Sequence, residues 1–205
     1  MSLVMPEESG GDFELCPEGT FVATCYRVID LGTQDTNYDG KPGKQHKVLV
    51  AWELTDEPMS DGRPFTMQKR YTLSSSEKAT LRKDLEAWRG RKFTKDELGK
   101  FNISKLLRVS CMLGVNHTEK DGKTYANVSS ILAMPKGVRG PQLINDAFHF
   151  DLSQFDKATF EKLSDRVQEV IKKSPEYQQF INGYLVAEAA DDIPFGEERE
   201  PGWEG

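Results

Sequence analysis

The chain has 205 residues, of which 37% are hydrophobic and 10% aromatic, enough for one domain with appendages or for two small domains. No apolar run approaches the roughly 20 residues that cross a bilayer, and the acidic N-terminus lacks the apolar stretch of a secretory signal. Three widely spaced cysteines form neither a CxxC pair nor a disulfide framework, which favours a reducing cytoplasm. Motifs of nucleotide-binding loops, zinc proteases and serine hydrolases are missing from the sequence, so we expect no catalytic residue, cofactor or metal.

Charge is distributed unevenly along the chain, although its net value is −6. Residues 17–140 contain 21 lysines and arginines against 15 acidic residues, whereas residues 184–205 contain one arginine against seven acids. The charge of the central segment, rather than the total, decides whether that segment attracts phosphate. We predict a flexible acidic N-terminus (1–16), a basic central domain (17–137), a helical appendage (138–185) and a disordered acidic tail (186–205).

Five strands are predicted in the central domain from runs of alternating or β-branched residues. In the second strand Trp52 shares a face with Val48, so we assign Trp52 to the core. A turn-rich loop is expected at Gly32–Gly43, and Asp121-Gly122 is typical of a hairpin turn. The predicted strands are Gly19–Leu31, Lys44–Leu54, Phe65–Leu73, Val109–Val115 and Tyr125–Met134.

A helical insert is predicted between the third and fourth strands. Ser74 and Glu77 have the spacing of a capping box, and Thr94 and Glu97 repeat that spacing before a second, shorter helix. The first helix carries an apolar stripe that consists of Leu81, Leu85 and Trp88. Five strands with a helical insert in this position have the order of an OB-fold barrel, and an α+β sheet with one covering helix is the alternative.

The appendage is predicted to contain two helices. Asp156 is expected to cap the first helix, whose apolar stripe runs from Phe160 to Ile171. Ser174-Pro175 is typical of the start of a second helix. The apolar stripe needs a surface to cover it, and the sequence leaves open whether that surface is the barrel or a second subunit.

Four stretches of the central domain carry a resemblance: VLVAWEL (48–54), KRYTLS (69–74), LRKDLEAWRGRKF (81–93) and YANVSSI (125–131). They resemble a family of bacteriophage single-stranded DNA-binding proteins with an OB-fold core, and the similarity spans about residues 17–136. The resemblance implies a non-enzymatic protein that coats single-stranded DNA during phage replication or recombination. Its location would be the cytoplasm of the infected bacterial host cell, without a membrane partner, and a homo-oligomer is one state that the resemblance allows.

An OB-fold usually binds its ligand across strands two and three, between the loops that join strands one to two and four to five. Cations there would neutralise phosphates, and aromatic rings would stack on bases. Lys69 and Arg70 are adjacent and should point to opposite faces. Tyr71 shares the parity of Met67 and Leu73, so a core role is an alternative to stacking. The candidate DNA-binding residues are Tyr38, Lys41, Lys44, Lys47, Lys69, Arg70, Tyr71, Arg89, Arg91, Lys120, Lys123 and Tyr125.

The acidic tail contains a second resemblance. Asp191, Asp192, Ile193, Pro194 and Phe195 resemble the acidic tip of bacterial single-stranded DNA-binding proteins, which docks replication and repair enzymes. The resemblance implies phage or host replication and recombination proteins as partners of the tail. The motif is internal here, because residues 196–205 follow it, so the terminal carboxylate of that tip is missing. An acidic tail could also fold back on a basic groove and compete with DNA.

Two other functions remain open from the sequence. The first is a protein-interaction module, in which the barrel binds another phage or host protein. The second is a metal-dependent nuclease built on Glu53, Asp56, Glu57 and Asp61. Residues 35–40 match the first half of a calcium-binding loop, but His46 occupies the position where that loop needs glutamate, so a tight turn is preferred.

Overall fold

The structure is a computed structural model and describes residues 14–182. Within this range the chain forms a mainly β fold with helices, as the sequence predicts. The strands are β1 (Gly19–Tyr38), β2 (Lys41–Pro58), β3 (Pro64–Thr72), β4 (Ser110–Lys120), β5 (Lys123–Leu132) and β6 (Phe148–Phe150). The α-helices are α1 (Thr80–Arg89), α2 (Lys95–Gly99), α3 (Lys157–Glu161), α4 (Asp165–Lys172) and α5 (residues 175–182), and 3-10 helices occupy Ile103–Leu106 and Leu152–Gln154. None of the helices in this range is long and apolar enough to span a membrane.

All six strands belong to one sheet, in which the order is β3-β2-β1-β4-β5 and neighbouring strands are antiparallel. β6 pairs in parallel with residues 27–29 of β1, beyond the point at which β4 leaves that strand. β3 and β5 approach each other with Cα atoms within 8 Å, but no ladder of backbone hydrogen bonds joins them in the described residues. The ends of the sheet therefore curl towards each other without closing into the hydrogen-bonded barrel that the sequence predicts.

The β1–β2 hairpin continues through the stretch that was predicted to be a loop. β1 and β2 stay paired as far as Tyr38 and Lys41, and the chain reverses at Asp39 and Gly40, whose φ angles are 52° and 72°. Two positive φ angles are what a two-residue type I′ turn requires. The prediction of a loop over Gly32–Gly43 was wrong because only Asp39 and Gly40 form a turn, while Gly32 lies where the pairing register shifts within β1.

The inner side of the curled sheet is filled by one hydrophobic cluster. Trp52 is fully buried, and its ring centre lies 5.7 Å from that of Trp88. α1 buries Leu81, Leu85 and Trp88 against the same cluster, and Trp88 Nε1 donates a hydrogen bond of 2.9 Å to Ser110 O. Because each large apolar side chain contributes roughly 1.5–3 kcal/mol when buried, this cluster is the main stabilising part of the central domain. The assignment of both tryptophans to the core is confirmed.

The two predicted capping boxes have different outcomes. Before α2, Thr94 Oγ1 accepts from Glu97 N at 3.2 Å and Glu97 Oε2 accepts from Thr94 N at 3.0 Å, so that box is confirmed. The box at Ser74 was wrong, because α1 begins at Thr80 after an uncapped Ala79. Ser74 Oγ instead accepts from Ser76 N at 3.3 Å, an example of a serine side chain that stabilises a local turn in place of a helix.

The appendage packs on the outer side of β1 and β2, opposite the inner cluster. Its apolar stripe is therefore covered by the sheet of the same chain, which answers the question that the sequence left open. The predicted first helix is divided into α3, capped by Asp156, and α4, which begins after Ser164. Ser174 Oγ accepts from Tyr177 N at 3.2 Å at the start of α5, as predicted. This second cluster includes Ile29, Leu31, Leu49, Phe150, Phe160 and Ile171.

Residues 138–147, the first part of the predicted appendage, cross the outer side of the sheet before β6. We call this segment the strap, and from here on the word appendage refers to residues 148–182. Thr24 Oγ1 donates to Pro141 O at 3.5 Å. Glu53, with 0% of its surface exposed, accepts hydrogen bonds from Ile144 N at 2.6 Å and from Asn145 N at 2.9 Å. Thr24 is paired with Glu53 and with Ser110, so the strap covers one row of residues across β4, β1 and β2.

Candidate nucleic-acid interface

The tip of the β1–β2 hairpin carries three of the candidate residues. Tyr38 is 84% exposed and lies opposite Lys41 in the pairing of the two strands. Lys44 is exposed and lies opposite Asp35. The structure therefore brings Tyr38, Lys41 and Lys44 together on an extended hairpin rather than on a loop.

The β4–β5 hairpin carries three more candidates at the other end of β1. β4 continues past Val115, which pairs with the first residue of β1, to the turn at Asp121-Gly122. This turn has the two positive φ angles, 53° and 72°, that the sequence predicts. Lys120 and Lys123 lie opposite each other in the β4–β5 strand pairing, and both are exposed. Tyr125 is 47% exposed. The β1–β2 tip thus lies at the C-terminal end of β1, and the β4–β5 tip extends beyond its N-terminal end.

The candidates on β3 point to opposite sides, as the sequence predicts for Lys69 and Arg70. Lys69 Nζ and the Tyr71 hydroxyl both bind Asp84 Oδ2 of α1, each at 2.8 Å. Burial raises the pKa of Tyr71 well above its ordinary value, and the negative Asp84 adds to the effect. Tyr71 is only 3% exposed, so its stacking role was wrong and it is a core residue. Arg70 lies on the outer side and is exposed.

Arg89 and Arg91, the candidates after α1, share one carboxylate. Arg89 Nη2 and Arg91 Nη2 lie 2.9 Å and 2.6 Å from Glu97 Oε1. Hydrogen bonds from Arg91 and Arg89, together with the capping bond from Thr94, hold the pKa of Glu97 far below its usual range. The two arginines fix α2 against the end of α1, so half of their positive charge is neutralised within the protein.

The outer face of β2, at the centre of the predicted interface, is mostly covered. Leu49, Ala51 and Glu53 are 2%, 3% and 0% exposed beneath the appendage and the strap. Lys47 is only partly exposed, and its Nζ donates to Gln45 Oε1 at 2.6 Å and to Thr72 Oγ1 at 2.8 Å. The expected ligand path across strands two and three is therefore blocked on β2, because the C-terminal part of the chain buries its own apolar residues there.

The structure assigns two of the four acidic candidates, Glu53 and Asp61, to structural roles. Both oxygens of Glu53 are taken up by the strap and by Thr55, so this carboxylate is a hydrogen-bond acceptor. Asp61 is held by Arg63 at 2.6 Å in the exposed β2–β3 turn. Asp35 and Asn37 lie on an extended strand and not in a calcium-binding loop. Within residues 14–182, no group of three or more His, Cys, Asp or Glu is arranged to hold a metal ion.

A cavity with a volume of about 750 Å³ lies beside the helical insert. Its lining includes apolar side chains between α1 and β4, with Trp88, Phe93 and Phe101 among them. Lys100 and Lys105 also line it. None of these five residues was singled out as functional from the sequence, since apolar residues in a helical insert are ordinary core.

Five exposed candidate cations, on the two hairpins and on the outer side of β3, have no carboxylate partner. Within the described part of the chain no acidic oxygen lies within 4.0 Å of their side-chain nitrogens, whereas Lys69, Arg89 and Arg91 each have such a partner. The tail motif from Asp191 to Phe195 lies outside the described residues. The unpaired cations are Lys41, Lys44, Arg70, Lys120 and Lys123.

No protein-family model matches the chain, and no curated protein matches it in sequence.

Proposed function

We propose that the protein is an OB-fold single-stranded DNA-binding protein that binds largely without sequence preference. In this proposal it protects unpaired DNA during phage replication or recombination in the bacterial host, and its acidic tail recruits replication and recombination proteins. The observation that carries the proposal is the set of unpaired cations, Lys41, Lys44, Arg70, Lys120 and Lys123, together with the exposed rings of Tyr38 and Tyr125 on the same two hairpins.

The strand order supports the OB-fold part of this proposal. An OB-fold is a five-stranded, partly open barrel. The order β3-β2-β1-β4-β5, with β3 beside β5 and the helical insert between β3 and β4, is compatible with that description. The missing ladder between β3 and β5 makes this barrel more open than a fully paired one.

The chemistry of the exposed residues supports the DNA-binding part. A flexible single strand presents phosphates and unstacked bases, which lysine and arginine side chains and aromatic rings bind without reading sequence. Cations that already have a carboxylate partner must give it up to bind phosphate, but the five unpaired cations need no such exchange.

One titration tests this function. A fluorescent oligo-dT and a duplex of equal length are titrated with the protein at low and high salt, and anisotropy is measured. We expect tighter binding of the single strand, and a logarithm of affinity that falls linearly with the logarithm of salt, by about 0.7 for each phosphate neutralised. Equal affinity at low and high salt would exclude the phosphate mechanism.

A second candidate is a protein-interaction module, because the apolar cavity between Trp88, Phe93 and Phe101 could bind a protein segment. The same titration separates the two functions, since this candidate predicts no anisotropy change with single-stranded DNA at micromolar protein. Strand cleavage in the presence of magnesium or manganese would instead favour a nuclease.

A further inference from the structure

We propose that unpaired DNA crosses the outer side of β3, β5 and β4, which we call the free face, and not the outer side of β2. This inference rests on the proposed function and assigns its binding surface. The free face consists of the even-numbered residues of β3 from Thr66 to Thr72, the even-numbered residues 116–120 of β4, and the odd-numbered residues 123–129 of β5.

The first argument is the sharp boundary of burial between β2 and β3. Cross-strand partners in an antiparallel pair point to the same side of the sheet. Leu49 pairs with Arg70, and Glu53 pairs with Thr66. The β2 member of each pair is at most 2% exposed, whereas the β3 member is exposed. The appendage and the strap therefore end at this boundary, and β3 is free where β2 is covered.

The second argument is that displacing the appendage or the strap from β2 would cost free energy. Glu53 accepts from the strap at Ile144 N and at Asn145 N, with a further bond from Thr55 Oγ1 at 3.2 Å. Opening the strap would leave a buried carboxylate without these partners. Opening the appendage would expose the outer hydrophobic cluster, to which Ile29 and Leu49 of the sheet belong. The residues of β2 that either opening would uncover, Leu49, Ala51 and Glu53, include no cation that could bind phosphate.

The third argument is the charge of the free face. Its residues include Arg70, Lys120 and Lys123 and no carboxylate. Tyr125 offers a half-exposed ring in the same row as Thr118. Asn127 Nδ2 donates to Thr118 Oγ1 at 2.8 Å and to Tyr125 O at 3.1 Å, which holds the backbone beneath that ring. Three cations, one half-exposed aromatic ring and polar side chains suit an unpaired strand.

The experiment compares matched pairs of variants in the oligo-dT titration. The double variant Tyr125→Ala/Lys123→Ala alters the β4–β5 hairpin, and Tyr38→Ala/Lys41→Ala makes the same change on the β1–β2 hairpin. We expect the first to weaken binding about 5- to 150-fold, the effect of losing one stacked base, and more than the second. Arg70→Ala is expected to lower the salt slope by about 0.7, while Arg166→Ala, an exposed arginine of α4, leaves affinity and slope unchanged.

A third arm tests the covered face directly. Glu53→Gln keeps the side-chain shape but weakens the strap, so affinity should stay the same if DNA uses the free face. Tighter binding by Glu53→Gln, or a larger loss in Tyr38→Ala/Lys41→Ala than in Tyr125→Ala/Lys123→Ala, would overturn the inference. Wild-type protein that binds no oligo-dT at low salt would instead overturn the proposed function, so the two failures are distinguishable.

Discussion

Two acids, the buried Glu53 and the partly buried Asp84, hold separate parts of the chain together. Asp84 on α1 accepts from Lys69 Nζ and from the Tyr71 hydroxyl on β3, which ties the helical insert to the edge of the sheet. Glu53 on β2 binds the strap, whose residues Ile144 and Asn145 lie more than 90 positions later in the sequence. Hydrogen bonds to a charged group are stronger than those between neutral groups, so each acid contributes more than an exposed acid without such partners.

Glu53→Gln should therefore destabilise the protein by about 1–3 kcal/mol, because the amide brings its own N–H group towards backbone N–H donors of the strap. Urea unfolding followed by tryptophan fluorescence measures the change. Glu57→Gln is the matched control, since Glu57 is exposed on the same strand and should change stability by less than about 0.5 kcal/mol. Equal stability of the two variants would show that the strap does not depend on Glu53.

At the scale of elements, the appendage approaches β1 closely at Gly32. This glycine has a φ of 68°, and a Cβ added there would lie 2.5 Å from Ser174 Cβ and 2.7 Å from Ser174 Oγ. Glu176, in the first turn of α5, binds Thr33 N at 3.0 Å and Thr33 Oγ1 at 2.6 Å. The start of α5 is thus attached to the bend of β1, and only glycine allows this distance.

Gly32→Ala should loosen the docking of α5 as well as strain the backbone of β1. Gly40→Ala is the control, because Gly40 has a φ of 72° but nothing within 4 Å of an added Cβ, and it therefore measures strain alone. We expect Gly32→Ala to lose at least 1 kcal/mol more stability than Gly40→Ala, and limited proteolysis to cut the appendage faster. Similar losses in both variants would contradict the close contact.

At the scale of the whole molecule, the basic central segment and the acidic C-terminal segment have opposite effects on a polyanion. Residues 17–140 attract phosphate, whereas residues 184–205 repel it. Long-range attraction of this kind is screened by salt, so the balance between the two segments is largest at low ionic strength.

Deletion of residues 186–205 should leave the affinity for oligo-dT unchanged or increase it, most clearly at low salt. Anisotropy titrations of the full and shortened chains measure the difference. A full-length variant with the acids of this segment replaced by their amides should behave like the shortened chain if charge is the cause. A large loss of affinity on deletion would mean that the segment contributes to binding DNA.

Local features of the fold could be predicted from the sequence because nearby residues control them. The order and spacing of nearby side chains predict four of these features. They are the helix stripe of Leu81, Leu85 and Trp88, the capping box at Thr94, the turn at Asp121-Gly122 and the burial of Trp52. Parity alone also separated Lys69 from Arg70, since successive side chains of a strand point to opposite faces.

Only the tertiary structure decided which surfaces of these elements remain exposed. In the sequence, the face of β2 that contains Leu49, Ala51 and Glu53 has the pattern of a half-buried strand. No neighbouring residue indicates that residues 138–182 return to cover that face. The same limit applies to Tyr71, whose parity fits both a core and a stacking role until Asp84 is brought beside it. Which segment covers the second face of a strand depends on contacts between residues far apart in the chain, and local periodicity contains no information about those contacts.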